Sequence, residues 1–219
     1  MDSSEPYELE AWPKAEKFKA AAVARLDASI GKILDRLKEL KQESNTIVLV
    51  TSDTGPSASG GVNPKHHRSA GPFSGSAGGL REGGLRVPLI VWGPGKIKSG
   101  EENYLTCGAW DILPTFAETA RAQLPENIDG ISFLSPLQGR PQLNRHEFLY
   151  WQAATTNGLQ QAVRLDDWKA VRPAPGQPLE LYNLAADIAE TSDIATNHPE
   201  IVAKMEACLK AGRHQPAKK

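Results

Sequence analysis

Near the start of the chain, hydrophobic positions recur by threes and fours. Phe18, Ala22, Leu26, Ile30, Ile33, Leu37 and Leu40 make one stripe, and Lys17, Arg25, Lys32, Arg36 and Lys38 fall largely off it. That spacing predicts an amphipathic helix, with the eight basic and four acidic residues of positions 14–41 as its solvated face. Ser44-Asn45 breaks the pattern. The run Thr46-Ile-Val-Leu-Val-Thr51 then reads as a strand covered on both faces, as in a parallel α/β sheet. It ends in Ser52-Asp53, so a carboxylate stands where ligand sites gather in open α/β sheets. Val87-Pro-Leu-Ile-Val-Trp92 predicts a second buried strand, with Pro88 near its start or on an edge. Around Trp110–Ala120 a helix is expected with Pro114 in its first turn, where a missing N–H costs little.

Between the two strands, positions 54–84 hold nine Gly and three Pro. Connections of that length are usually functional or disordered. Beyond about residue 140 the pattern changes to short runs, Phe148–Trp151, Gln160–Arg164, Trp168–Arg172 and Leu179–Tyr182, parted by Gly, Asp-Asp and Pro. That is an antiparallel meander. A last helix, about Pro199–Ala211, gathers Ile201, Val202, Met205, Cys208 and Leu209 on one side, and a disordered polar tail is expected at 213–219. The expected division is 1–145 as part of an α/β domain and 146–212 as a small antiparallel subdomain.

Composition narrows the function. The chain has 219 residues, 40% hydrophobic and 23% charged, enough for a globular core. A net charge of −1 lacks the basic footprint of a nucleic-acid or anionic-membrane binder, and no apolar run suggests a membrane span. The acidic start, Met1–Lys14, does not read as a secretory signal, so the chain as given is expected in the cytoplasm. Cys107 and Cys208 permit one disulfide, but two buried thiols are the favoured reading.

Three stretches carry more. Thr51-Ser-Asp-Thr-Gly-Pro56, Glu82-Gly-Gly-Leu-Arg-Val-Pro-Leu-Ile-Val-Trp-Gly-Pro-Gly95, and Ala162–Arg172 followed by Leu179–Leu184 stand in a fixed order. With Asp111-Ile-Leu-Pro-Thr115 and Asp187-Ile-Ala-Glu-Thr191, they make residues 18–212 resemble the C-terminal half of a type I sulfatase, the arylsulfatase family. The resemblance implies the C-terminal part of an alkaline-phosphatase-like α/β sulfatase domain, with a small antiparallel sheet and a C-terminal helix. It implies hydrolysis of a sulfate ester, whether a sulfated sugar or an aryl sulfate. It also implies a formylglycine nucleophile made from a C/S-x-P-S/T-R signature, and calcium held by oxygen ligands, which suit a hard cation.

Carried over residue by residue, that pattern is depleted. The family's later Asp-Asn metal pair falls on Asp53-Thr54, so Asp53 matches and Thr54 does not. The lysine five residues before the EGG glutamate falls on Ala77. Neither Cys107 nor Cys208 stands in a C-x-P-S/T-R signature, and no serine does so either. The expectation is a truncated or degenerate sulfatase-family chain, inactive alone and not binding calcium alone. The alternative is a non-catalytic subunit or sulfated-sugar-binding module that pairs with a complete sulfatase. Self-association or an N-terminal-half partner is expected, because the missing layers would leave apolar surface uncovered.

Other candidates have plainer readings. Lys65-His-His-Arg68 reads as a solvated loop rather than a metal or phosphate site. Glu82 reads as scaffold rather than general acid, with its glycines supplying positive φ. Trp151 and Trp168 are expected to pack the small sheet.

Overall fold

The structure, a computed structural model, describes residues 3–212; the tail expected at 213–219 lies outside them. The elements are α1 (Lys14–Glu39), β1 (Val48–Thr51), α2 (Glu82–Leu85), β2 (Leu89–Trp92), α3 (Ile112–Ala120), α4 (Leu134–Leu137), β3 (Leu149–Thr155), β4 (Gly158–Leu165), β5 (Trp168–Arg172), β6 (Glu180–Asn183) and α5 (Pro199–Ala211). They fall into two compact units. Among the described residues, one comprises 3–53, 58–66 and 88–145, and the other 54–57, 67–87 and 146–212.

In the first unit α1 forms where the spacing predicts. Glu16 lies in its first turn, and Arg36 and Lys38 in its last, each complementing the helix dipole. Its apolar stripe is only partly covered, however. Phe18, Ile30 and Leu37 are half-buried, Leu26 is 59% exposed and Ile33 55%, while the buried residues of α1 are Glu16 and Ala21. Glu16 accepts the Asn63 N–H at 2.5 Å, which ties the helix start to a loop.

The expected parallel sheet, covered on both faces, is corrected. β1 and β2 form a two-stranded antiparallel ladder, with Val48 opposite Trp92 and Thr51 opposite Leu89. The Thr51 hydroxyl extends it, donating to the Pro88 carbonyl at 2.8 Å. Ile90 is 63% exposed. An apolar run reads the same in either direction, because the connection sets the direction and not the residues of the strand.

Farther along, buried Asp111 staples this unit. Its carboxylate accepts the N–H of Gly108 at 2.8 Å and of Ile131 at 2.7 Å. Thr115 donates to the Asp111 carbonyl at 2.6 Å and accepts the Phe133 N–H at 3.0 Å. The Asp-Ile-Leu-Pro-Thr motif is thus architecture: it fixes the start of α3 and the entry to α4.

The second unit contains the meander as read, β3-β4-β5-β6, antiparallel throughout. Strand residues alternate faces. Val163, Ala170 and Leu181 meet Met205 and Leu209 of α5 on one face. Ala162, Val171 and Tyr182 meet Leu80, with Leu85 and Trp151 alongside, on the other. Trp151 and Trp168 both pack at this sheet, on opposite faces. Pro199 opens α5 at a position where its absent N–H is harmless.

Candidate functional site

Asp53 follows the end of β1 and is exposed. The next residue, Thr54, turns its hydroxyl to the Gly55 carbonyl at 3.1 Å. As a calcium position this pair offers one carboxylate and one short hydroxyl already donating to its own backbone. Calcium prefers about six to eight oxygens. Among the described residues, no group of three or more His, Cys, Asp or Glu is placed to hold a metal ion. By donor count, Asp53 and Thr54 do not by themselves fit the ion.

Beyond Thr54 the chain enters a tight crossing of backbone segments. The Gly55 N–H donates to the Gly84 carbonyl at 2.9 Å, and the Pro56 carbonyl accepts the Ala77 N–H at 3.0 Å. A side chain on Gly55 would overlap the Gly83 carbonyl oxygen, and one on Gly83 would overlap the Ser74 carbonyl oxygen. Neither Gly83 nor Gly84 has positive φ. The expected reason for the EGG glycines is corrected: they are required by the closeness of neighbouring backbone. Ala77, at the family's lysine position, contributes a backbone N–H to this crossing.

The EGG glutamate anchors a buried ionic cluster. Glu82 Oε1 takes the Lys169 ammonium at 2.7 Å, and both side chains are buried. Glu82 Oε2 takes Arg86 at 2.6 Å and Arg164 at 3.4 Å. Burial pulls the Glu82 carboxyl upward, but Lys169 and Arg86 outweigh it and hold it below the ordinary glutamate range. Glu190, also buried, accepts the Glu82 backbone N–H at 2.6 Å and stands 3.8 Å from Lys169. Burial pushes its carboxyl above the ordinary range, and Lys169 only partly opposes this. The Lys169 ammonium also lies 5.4 Å from the centre of the Trp151 ring. Glu82 held as an anion by three cations is a structural anchor, as read from the motif, and is poorly suited to general-acid work.

Arg81, one residue before, is fully engaged. It donates to the Glu190 carbonyl at 2.8 Å, the Glu180 carboxylate at 3.0 Å and the Tyr182 hydroxyl at 2.8 Å. These contacts commit the Arg81 guanidinium to groups of its own unit. Lys65, His66, His67 and Arg68 are all exposed, and His66 sets its ring edge-on to Trp12 at 6.4 Å. Cys107 and Cys208 are free, half-buried thiols. Burial raises both, with Asp111 adding to the first and Glu147 to the second, which disfavours a reactive thiolate.

Known proteins resemble this chain over most of its length. A sulfatase family model matches residues 18–122, and a model described as N-sulphoglucosamine sulphohydrolase, C-terminal, matches 80–215. An N-acetylgalactosamine-6-O-sulfatase of Bacteroides thetaiotaomicron is 28% identical over 211 residues, covering 86% of this chain and 40% of the relative. Arylsulfatase K of Canis lupus familiaris is 29% identical over 205 residues, covering 89% of this chain and 36% of the relative. The crystal structure of Ps i-CgsB superposes with a TM-score of 0.84 at 26% identity, over 99% of this chain and 48% of that one. The same protein has also been solved in complex with a neocarrahexaose, and there the TM-score is 0.82 at 27% identity. This chain thus spans about two fifths of the length of each of these two curated relatives. On the family model that matches most of its length, and on a fold shared with solved sulfatase structures, the chain belongs to the sulfatase family.

Proposed function

We propose that this chain is the C-terminal portion of a sulfatase-type fold, and that it does not hydrolyse a sulfate ester or bind calcium by itself. The observation that carries this reading is the absence of any C-x-P-S/T-R or S-x-P-S/T-R signature within the 219 residues. Hydrolysis by this family's chemistry needs a covalent nucleophile, and positioned charge alone does not replace one. Thr54 and Ala77, in place of a metal-ligating amide and a sulfate-binding cation, agree with a degenerate site. Asp53 keeps its identity as a metal-position residue. The substrate class of the completed fold is a sulfated sugar, supported by the name of the Bacteroides relative and by the oligosaccharide bound to Ps i-CgsB.

The test is turnover of a chromogenic aryl sulfate with and without calcium, beside calorimetry of calcium binding. No turnover and no saturable binding at micromolar calcium are expected. Turnover that survives repurification and disappears in Asp53→Ala overturns the reading.

A second reading, a subunit that pairs with a sulfatase segment bearing the nucleophile, is favoured by the apolar side chains exposed along α1 and β2. Chromatography with light scattering is expected to give a mass above the 23.7 kDa of one chain, or a shift on adding such a segment. A rigid monomer indifferent to the segment rules it out.

A further inference from the structure

Glu190, inside the Asp187–Thr191 motif, reaches two of the backbone segments that border Thr54–Pro56. Glu190 is fully buried, and its Oε2 accepts both the Glu82 N–H at 2.6 Å and the Ser74 hydroxyl at 3.4 Å. Residues 74 and 82 begin the two segments that flank Thr54–Pro56. From Ser74 the chain runs to Ala77, whose N–H donates to the Pro56 carbonyl at 3.0 Å. From Glu82 it runs to Gly84, whose carbonyl accepts the Gly55 N–H at 2.9 Å. The two segments are also joined directly, Gly83 N–H to Ser74 carbonyl at 2.6 Å. One carboxylate oxygen therefore adds a second link, beside that backbone bond, between the two segments that flank Thr54–Pro56.

We propose that Glu190 is a positioning residue that sets the backbone of Thr54-Gly55-Pro56 by clamping the Ser74 and Glu82 segments together. The charged groups around the clamp fit this role. Lys169 faces Glu190 from β5 at 3.8 Å, but its short bond is to Glu82, at 2.7 Å. Arg81 meets the Glu190 backbone carbonyl, not its carboxylate. The hydrogen bonds to the carboxylate from Ser74 and Glu82 do not come from a sheet strand, and the contacts of Val163, Ala170 and Leu181 with α5 do not involve it. Removing the clamp should loosen the turn and leave the sheet intact. An ordinary core residue would weaken both. The importance of the turn rests on the proposed reading of Thr54 as half of the metal position; the mechanical coupling does not.

Amide hydrogen exchange on the full chain tests the coupling. In Glu190→Ala, the amides of Gly55, Ala77 and Gly83 should exchange roughly tenfold faster or more, while β4 and β5 amides keep their rates. Glu190→Gln retains a carbonyl acceptor and should restore protection at all three. Uniform acceleration across β4 and β5, or acceleration at Gly83 without Gly55, overturns the proposal. If Glu190→Ala does not fold, exchange of the unmodified chain in sub-denaturing urea decides. Gly55, Ala77 and Gly83 must then open as one unit with a common urea dependence, and separate openings overturn the clamp. Aryl sulfate turnover by the same preparation would end the proposed function without touching this result.

Discussion

Leu26 and Leu181 are the same side chain in two settings, 59% exposed on α1 in the first unit and fully buried on β6 in the second. The contrast extends to their surroundings. Val23, Ile33, Leu40, Leu89, Ile90, Leu113 and Phe116 are exposed and all lie in the first unit. The two apolar clusters of buried residues both lie in the second. The second unit's sheet finds its covers within that unit, with α5 from the same stretch of chain on one face and residues 80–85, from an earlier stretch, on the other. The first unit has a long helix and a two-stranded ladder whose apolar residues meet no equivalent cover among the described residues. Local completeness, more than hydrophobic content, separates the two.

The largest expected effect lies in the better-covered unit. Glu82→Ala removes the close partner of Lys169, leaving an ammonium that is 0% exposed with Glu190 at 3.8 Å. Uncovering one member of a buried ion pair costs about 3–5 kcal/mol. Urea unfolding followed at Trp151, beneath the Lys169 ammonium, should show a loss of that size. A loss under about 1 kcal/mol would mean that water or rearrangement solvates Lys169, and the second unit would be less tightly closed than it looks.

The next test puts the two leucines against each other. Leu181→Ala should cost about 2–5 kcal/mol, from lost burial and the cavity left between β6 and α5. Leu26→Ala should stay within about 0.5 kcal/mol, as for a surface position. Each is read by urea unfolding at a concentration low enough to hold the association state fixed. If Leu26→Ala proves as costly as Leu181→Ala, the α1 stripe is covered in solution, and the comparison then identifies that stripe as an interface.

The same contrast governs what could be read from the residues. The meander and α5 were legible because their signals are local: alternation within each run, turn residues between runs, and Pro199 at the helix start. The span of α1 was legible from its three-and-four spacing, but its covered face was not, since periodicity says where the apolar side lies and not what packs there. The direction of β1 against β2 was invisible for the reason given above. Asp53 stood out as a carboxylate at the end of a strand, and the family resemblance added Thr54 and the Glu82 motif. Lys169 and Glu190 were missed as members of the cluster because they stand 87 and 108 residues from Glu82. Only one signal could have pointed to them: a lysine inside a strand of otherwise apolar character, Trp168-Lys-Ala-Val-Arg172, must find a buried anion or lose its charge.

The smallest effect, and the sharpest, is in the pH dependence of the second unit. Two buried glutamates flank Lys169, and their carboxyls shift in opposite directions. Glu82 is lowered, so its contribution is present above the unfolded glutamate pKa and is lost as pH falls through its folded value. Glu190 is raised, because burial outweighs the help from Lys169. Its contribution is therefore present in full below the unfolded glutamate pKa and is lost as pH rises through its raised folded value. Gln resembles the protonated form of Glu190, holding an acceptor for the Glu82 N–H without a charge to bury. Glu190→Gln should thus match the parent at pH 3–4 and exceed it near neutrality, by about 1 kcal/mol at most, in urea midpoints followed at the sheet. In Glu82→Gln the order reverses, with the loss largest near neutrality and fading in acid. The exposed glutamate of α1, Glu39, paired with Arg36 at 2.8 Å with both side chains over 60% exposed, should give no measurable slope when changed to Gln. A parent that gains stability through neutrality relative to Glu190→Gln would show that Lys169 is shared evenly between the two carboxylates. The buried charge would then be balanced across the cluster, and not concentrated on the Glu82 side.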